Sequence, residues 1–161
     1  MTAQIHPSAI VSGDAVLGDD VVIGPGAIIE GDVHLGNGTV VGEYSIIRRF
    51  TRMGERNQVG PHVVLGTEPQ HKAYDGSETW LTIGDDNDFR EFFSASRAYE
   101  PGAETIIGSN CLFMASTHVG HDCVLGDHIT MTNNALLSGH IEVGDRCVFS
   151  GGAGGHLLEL E

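Results

Sequence analysis

Residues 17–42 read LGDDVVIGPGAIIEGDVHLGNGTVVG, in which a glycine follows an apolar residue at intervals of six or twelve. Counted in steps of six from Ile5 to Phe149, 22 of the 25 first positions are apolar. A chain that is 40% apolar would give about ten by chance. Glycines in the same phase are Gly18, Gly24, Gly36, Gly42, Gly54, Gly60, Gly66, Gly84, Gly108, Gly120, Gly126 and Gly144. The chain therefore carries a hexapeptide repeat.

The fifth position of the repeat is mostly small or β-branched, as at Ala9, Ala15, Val21, Ala27, Val33, Thr39, Ser45, Thr51, Val63, Thr117, Ala135 and Ala153. One large aliphatic residue and one small residue per six, with glycine at the corner, predict short strands that turn sharply and stack coil upon coil. A helix is disfavoured because each glycine in a helix costs about 1 kcal/mol relative to alanine. The repeat therefore predicts an all-β fold, a parallel β-helix.

Interruptions of the repeat predict the domain organisation. The first position is not apolar at three places, His71, Ser77 and Pro101. These places indicate two inserted loops, at about residues 67–82 and 98–104, which preserve the phase of the repeat. We expect one β-helix domain over residues 1–155 and an irregular tail over residues 156–161.

Composition excludes several classes of protein. The chain has 161 residues, which suits one domain, and its 8 Lys and Arg against 22 Asp and Glu give a net charge of −14. Binding of duplex nucleic acid is disfavoured because it needs clustered cations. No apolar run approaches the length of a membrane span, and the N-terminus lacks the features of a signal peptide. Three cysteines without a CxxC motif argue against a disulfide framework. We therefore expect a cytoplasmic protein.

The repeat, written Leu/Ile/Val-Gly-x-x-small-x, resembles that of the hexapeptide-repeat family. The resemblance covers nearly the whole chain. It implies a left-handed β-helix of triangular section with three hexapeptides per coil. It also implies a homotrimer, and for most members an acyltransferase activity.

Histidines concentrate in the last third of the chain, and the richest run is ASTHVGHDC at residues 115–123. In the repeat frame His118 and His121 face outward, whereas Cys123 faces the core. With three hexapeptides per coil, His121 lies against Gly139 of the next coil, and His140 is close to it.

This arrangement suits acyl transfer from a thioester to a hydroxyl. A histidine can take the hydroxyl proton as a general base, and a fixed backbone N–H can stabilise the tetrahedral oxyanion. Asp122, next to His121 in sequence, is a candidate to hold the imidazole in the productive tautomer.

At these residues the chain resembles the UDP-N-acetylglucosamine O-acyltransferases, which catalyse the first step of lipid A biosynthesis with acyl carrier protein thioesters. The family's His-x-x-His-Asp-Cys run is matched by residues 118–123, and its Asn-Asn-Ala-x-x-x-Gly-His run by residues 133–140. The resemblance implies that His121 is the general base and that Gly139 donates the oxyanion N–H. It further implies that acyl carrier protein is the donor, that a nucleotide sugar is the acceptor, and that no cofactor takes part.

The resemblance also implies a set of substrate-binding residues, namely His118, His140, Gln70, Lys72, Arg97 and His156. The match is weaker for the last four. The family's Pro-Gln-Asp-x-Lys-Tyr-x-Gly loop reads PQHKAYDG at residues 69–76, so His71 replaces the Asp and Lys72 lies one position early. Ser96 replaces a family His, and His156 is shifted after Gly151 and Gly152. The family's chain continues through further coils and a basic helical domain, so we expect this chain to be truncated.

Two other functions compete with acyl transfer. A truncated or degenerate trimeric solenoid without activity is favoured by the altered loop. A zinc-dependent hydratase similar to carbonic anhydrase would use His118, His121 and His140 as three ligands around an open position.

The only basic cluster, Arg48, Arg49, Arg52 and Arg56, has two interpretations. It is either a docking patch for an acidic carrier protein or a set of salt bridges on an acidic surface. We favour the salt bridges.

Overall fold

A computed structural model of the chain describes residues 2–155, and its regular secondary structure there is entirely β-strand. None of these residues forms a helix with the length and apolar character that crossing a membrane requires. The first nine strands are β1 (Gln4–Ile5), β2 (Ile10–Val11), β3 (Val16–Leu17), β4 (Val22–Ile23), β5 (Ile28–Ile29), β6 (Val33–Leu35), β7 (Val40–Val41), β8 (Ile46–Ile47) and β9 (Thr51–Met53). The next seven are β10 (Gln58–Val59), β11 (Val64–Thr67), β12 (Trp80–Ile83), β13 (Asp88–Phe89), β14 (Ser94–Ser96), β15 (Glu104–Ile107) and β16 (Leu112–Phe113). The last seven are β17 (His118–Val119), β18 (Val124–Leu125), β19 (Thr130–Met131), β20 (Leu136–Leu137), β21 (Glu142–Val143), β22 (Val148–Phe149) and β23 (Gly154–Gly155).

The strands form three parallel sheets, and the chain visits the sheets in turn. The first sheet has the order β1-β4-β7-β10-β13-β16-β19-β22, the second β2-β5-β8-β11-β14-β17-β20-β23, and the third β3-β6-β9-β12-β15-β18-β21. Partners within a sheet are three hexapeptides apart where no loop intervenes, as are Gln4 and Val22. The chain is thus an all-β, left-handed parallel β-helix, which confirms the predicted fold class.

Two segments leave the regular coil without disturbing its phase. Val64 pairs with Ser94, so the first segment lengthens its coil by two hexapeptides. Asp88 pairs with Leu112, so the second segment lengthens its coil by one hexapeptide. Since both additions are whole repeats, every apolar first position still faces the core after each segment. The segments lie between β11 and β12 and between β14 and β15.

The core is a continuous column of side chains from the first and fifth repeat positions. Val21, Ala27 and Val33 at the fifth position and Ile23 and Ile29 at the first are at most 1% exposed. Larger side chains fill the middle of the column, where three phenylalanine rings pack together. The ring centroids of Phe89 and Phe113 are 5.2 Å apart, and those of Phe93 and Phe113 are 4.8 Å apart. These contacts make the middle coils the best-packed part of the fold.

Left-handed backbone conformation at the corners belongs to the fourth repeat position. Within residues 2–155, fifteen non-glycine residues have positive φ angles of 54–62°, and all of them occupy that position. The expectation that the second-position glycine makes the turn is therefore wrong. At the fourth position the backbone N–H points along the solenoid axis and donates to the preceding coil, as from Tyr44 to the Pro25 carbonyl at 3.0 Å.

Most second-position glycines serve close stacking of coils instead. A Cβ atom added to Gly42 would lie 2.9 Å from the carbonyl carbon of Gly60 and from the carbonyl oxygen of Val59. Both contacts are with backbone of the next coil, which cannot move aside without breaking the strand ladder. Glycine is thus required at this position by the distance between coils rather than by its own φ angle.

The three cysteines are free thiols. Cys111 and Cys123 are buried, and burial raises the pKa of each thiol above its ordinary value. The Cys123 thiol donates to the carbonyl of Ser138 at 3.0 Å. Both residues therefore act as small core side chains, as the fifth repeat position predicts.

The phenylalanine cluster gives a direct test of where stability resides. We expect Phe113→Ala to lower the free energy of unfolding by about 3–5 kcal/mol, because it opens a cavity between two buried rings. Urea denaturation followed by circular dichroism measures the change. Phe92→Ala is the matched control, since Phe92 is 59% exposed, and should cost under about 1 kcal/mol. Equal losses in the two variants would contradict the assignment.

Candidate active site

The histidine run and both inserted segments meet at one corner, between the second and third sheets. Segments 68–79 and 97–103 leave this corner after β11 and β14. Residues 121–122 and 139–140 form the same corner after β17 and β20. Two loops and two ordinary turns therefore converge along one edge of the solenoid.

A cleft of about 390 Å³ opens at this edge. Its lining residues are Gln70, Ser96, His118, Gly120, His121, Leu136, Leu137, Ser138 and Gly139. Four of the residues singled out in the sequence, Gln70, His118, His121 and Gly139, are among them. The fold thus brings a loop residue and residues of three successive coils into one cavity.

His121 and Asp122 form a hydrogen-bonded pair beside the cleft. Nδ1 of His121 lies 2.7 Å from Oδ2 of Asp122. The same carboxylate oxygen accepts a hydrogen bond of 2.8 Å from the backbone N–H of Tyr99. The backbone N–H of Asp122 donates to Thr105 Oγ1 at 2.8 Å. The contact suggested by sequence adjacency is therefore formed, and it directs the other ring nitrogen of His121 away from the carboxylate.

Gly139 lies directly against the His121 ring, as a coil of three hexapeptides predicts. A Cβ atom added at Gly139 would be 2.5 Å from Cε1 and 2.6 Å from Nε2 of His121. Only a residue without a side chain leaves this imidazole in place. The His121 ring and the backbone of Gly139 are therefore in contact, a proximity that a general base and an oxyanion donor would need.

The other two candidate histidines have different surroundings. His140 stands edge-on to His121 with ring centroids 5.1 Å apart, and its side chain is 43% exposed. His118 is half-buried, and its Nδ1 lies 2.8 Å from Ser94 Oγ. Burial lowers the pKa of His118, a hydrogen bond with Ser94 partly offsets the decrease, and the neighbouring His121 adds to it. His118 is thus held as a neutral imidazole that can donate or accept one hydrogen bond.

Sequence reasoning did not assign three residues that complete the corner. The His71 ring packs against Tyr99 with centroids 4.0 Å apart and a tilt of 36°, and it meets His121 edge-on at 5.6 Å. Tyr99 fixes Asp122 through its backbone, and Ser94 fixes His118. The available signal was the placement of both insertions at the same corner of consecutive coils, which requires the two loops to touch.

Two predicted substrate-binding residues, Lys72 and Arg97, do not line the cleft. Lys72 is exposed. Arg97 is 5% exposed and donates to the Gly66 carbonyl at 3.3 Å and to the Tyr74 hydroxyl at 2.9 Å, beneath the longer loop. It lines a separate cavity of about 470 Å³ together with Glu30, Arg48, Arg49, Thr67 and Glu68. His156 and the predicted tail at 156–161 lie outside the described residues.

The basic cluster is a set of ion pairs, as we favoured from the sequence. Arg48 pairs with Glu30 at 2.7 Å, Arg49 with Asp32 at 2.9 Å, Arg52 with Glu104 at 3.4 Å and Arg56 with Asp86 at 2.8 Å. Arg52 also lies over the Trp80 ring at 3.6 Å. Exposed pairs of this kind add little stability, but in each pair a carboxylate offsets the charge of the arginine.

The three-histidine set expected for a zinc hydratase does not form among residues 2–155. The metal-ligand group that the fold does assemble is His121, Asp122 and His140, whose ligand atoms lie within 4.8 Å of one another. His118 is outside this group because its ring is directed toward Ser94.

Comparisons with known proteins give one consistent relationship. No family model matches the chain. A protein of Stenotrophomonas maltophilia named acyl-(acyl-carrier-protein)–UDP-N-acetylglucosamine O-acyltransferase is 48% identical over 154 residues, which are 95% of this chain and 59% of that protein. A protein of the same name from Thiobacillus denitrificans is 53% identical over 156 residues, 96% of this chain and 60% of that protein. The chain therefore spans about three fifths of the length of these relatives.

Solved structures show the same relationship. LpxA from Acinetobacter baumannii has a TM-score of 0.91 and 39% identity, covering 93% of this chain and 58% of that one. The UDP-N-acetylglucosamine O-acyltransferase of Moraxella catarrhalis has a TM-score of 0.91 and 35% identity, covering 93% of this chain and 59% of that one. The resemblance inferred from the sequence motifs is confirmed.

Gly139→Ala tests the packing of the imidazole on the next coil. We expect the added methyl group to displace the His121 ring, because a Cβ there would overlap Cε1 and Nε2. A crystal structure or the ring-proton shifts of His121 would show the movement. Gly144→Ala is the control, since a Cβ there meets nothing within 4 Å. An unmoved ring in Gly139→Ala would contradict the geometry.

Titration of His118 tests its burial. We expect its pKa to lie below the ordinary value of about 6.5. As the pH falls below about 6.5, the unfolded chain binds this proton before the folded chain does, so the residue destabilises the fold in acid and has no such effect at higher pH. Histidine NMR titration measures the pKa, with the resonance assigned by its loss in His118→Gln. A value at or above about 6.5 would refute the prediction.

Proposed function

Since this chain is a homologue of the UDP-N-acetylglucosamine O-acyltransferases over nearly its whole length, we propose that it is an acyltransferase. It moves an acyl group from acyl carrier protein to a hydroxyl of a UDP-N-acetylglucosamine-like acceptor, the first step of lipid A biosynthesis. The observation that carries this proposal is the His121 ring, held by Asp122 on one edge and by the backbone of Gly139 on the other.

The chemistry follows from this geometry. Nε2 of His121 takes the proton of the acceptor hydroxyl as its oxygen attacks the thioester carbonyl. The Gly139 N–H stabilises the oxyanion of the tetrahedral intermediate. Collapse of the intermediate breaks the carbon–sulfur bond, and the departing thiolate takes the proton back from His121. Asp122 stabilises the imidazolium between the two proton transfers. Before the reaction it keeps the ring in the tautomer with the proton on Nδ1 and with Nε2 free.

Substrate contacts come from the walls of the cleft. His118, as a neutral imidazole anchored by Ser94, binds a polar group of the acceptor, and Gln70 reaches the same volume from the loop. His140 lies at the exposed side and contacts the bound substrate from there. Lys72, Arg97 and His156 stay candidates from the family resemblance alone.

We also propose a homotrimer. The outer face of the second sheet carries an apolar ladder formed by Ile10, Ile28, Ile46 and Val64, and Ile10 is 64% exposed. The ladder continues into His118 and Leu136, which line the cleft. A second copy packed on this face would bury the ladder and close the cleft. Acyl carrier protein as a partner and a reducing cytoplasm as the location, which suits the free thiols, belong to the same proposal.

Replacement of His121 tests the proposed reaction. Purified protein is incubated with an acyl-acyl-carrier-protein and UDP-N-acetylglucosamine, and the acylated nucleotide sugar is measured by mass spectrometry. We expect the native chain to form product and His121→Ala to be slower by about 10²–10⁴-fold, because it loses the general base. His128→Asn is the control, since His128 lies at a different corner, after β18.

Other outcomes would favour the competing functions. Undiminished transfer by His121→Ala would show that His121 is not the general base. A native trimer without transfer would indicate a solenoid that does not catalyse. Hydration of carbon dioxide by the zinc-loaded protein, without acyl transfer, would indicate the hydratase.

A further inference from the structure

The corner that holds the proposed general base also presents a compact set of metal-ligand atoms. Nδ1 of His121 is 2.7 Å from Oδ2 of Asp122, and Nε2 of His140 is 3.9 Å from the same oxygen. The ligand atoms of these three residues lie within 4.8 Å of one another. Ligands bound at about 2.0–2.2 Å in a tetrahedral zinc site are about 3.3 Å apart, so shifts of about 0.6 Å accommodate both distances.

Coil stacking fixes His121 and Asp122 and leaves the exposed side chain of His140 able to adjust. His140 is placed over His121 by the corner hydrogen bond, in which the His140 N–H donates to the His121 carbonyl at 2.9 Å. The side chains of His121 and Asp122 are 12% and 10% exposed, whereas that of His140 is 43% exposed. Two ligands are therefore desolvated and fixed, and the third can move toward an ion while solvent reaches a fourth position.

The donor types select the class of ion. Two imidazoles and one carboxylate are the ligands of many zinc sites, whereas magnesium and calcium prefer oxygen ligands alone. Zinc also binds such nitrogen and oxygen donors more tightly than manganese or ferrous iron does. Zinc is thus the physiological ion that this set fits best.

We propose that His121, Asp122 and His140 bind one Zn²⁺ ion and that the bound ion prevents acyl transfer. The ion takes the place of the proton between His121 and Asp122, so the imidazole loses the tautomer in which its other nitrogen acts as the base. The displaced proton moves to Nε2 of the same ring, which keeps the imidazole neutral and occupies the nitrogen that would act as the base. The inhibition rests on the proposed acyltransfer, whereas binding of the ion does not.

Binding is tested without any substrate. Zinc chloride is titrated into the purified native chain by isothermal calorimetry near neutral pH, and magnesium chloride is titrated in parallel. We expect one zinc ion per chain and no magnesium. Absence of stoichiometric zinc binding would overturn the proposal.

Variants distinguish this site from the other histidines. His140→Asn and Asp122→Asn should each weaken zinc binding by at least about tenfold, while His128→Asn should not. Asparagine is chosen because all three positions have positive φ angles of 56–61°, which asparagine tolerates. Thermal denaturation checks that each variant folds. If Asp122→Asn does not fold, the His140→Asn variant decides the result, because His140 is exposed. Equal binding by His140→Asn and the native chain would overturn the assignment of ligands.

The inhibition has a separate readout. Stoichiometric zinc should abolish acyl transfer by the native chain, and a chelator should restore it. Full transfer by the zinc-loaded chain would overturn the inhibition while leaving the binding site established. A chain without any transfer would contradict the proposed function, and the calorimetry would still decide the binding.

Discussion

The corner hydrogen bond between successive coils is the constraint on which the rest of the structure depends. At most turns, the residue at the fourth repeat position adopts a left-handed conformation and donates its N–H to the third-position carbonyl of the coil before. The Arg56 N–H reaches the Asn37 carbonyl at 2.8 Å in this way, and the His140 N–H reaches the His121 carbonyl at 2.9 Å. A left-handed conformation costs a non-glycine residue about 1–2 kcal/mol. The hydrogen bond offsets that cost and locks the register of the coils.

Register explains why the site forms where it does. Because the coil repeats after three hexapeptides wherever no loop intervenes, each residue faces the one at the same repeat position in the next coil. The His121 ring therefore meets Gly139, and the repeat alone brings a base and a backbone donor together. The same register places His140 beside the pair, which creates a set of three ligand atoms from residues that the reaction uses separately. Architecture thus supplies both the proposed base and its proposed inhibitor site.

Much of this could be predicted from the sequence, and the exceptions have identifiable causes. The six-residue period was sufficient for the core and the stacked parallel strands. The three sheets and the contact of His121 with Gly139 needed the coil of three hexapeptides, which the family resemblance supplied. The period was insufficient for His71 and Tyr99, because loop residues escape the periodicity and meet only through side-chain packing. The period also predicted the wrong role for the second-position glycine. A short contact between coils and a left-handed turn both favour glycine, so the sequence does not distinguish the two roles. The period was likewise insufficient for the position of Arg97, because the contacts of this arginine with Gly66 and Tyr74 beneath the longer loop depend on side-chain packing.

Environment, rather than sequence, separates the roles of the two histidines in the run. His118 and His121 lie on the same strand–turn segment, and both face outward. Burial keeps His118 neutral although the hydrogen bond with Ser94 partly opposes it, which makes His118 a hydrogen-bonding residue and a poor acceptor of a proton. His121 instead has a carboxylate at 2.7 Å, which stabilises the imidazolium form that a base must pass through. Asp122 in turn depends on the Tyr99 N–H, which the shorter insertion supplies. That insertion therefore does more than lengthen the coil, since it fixes the carboxylate that positions His121, the proposed base.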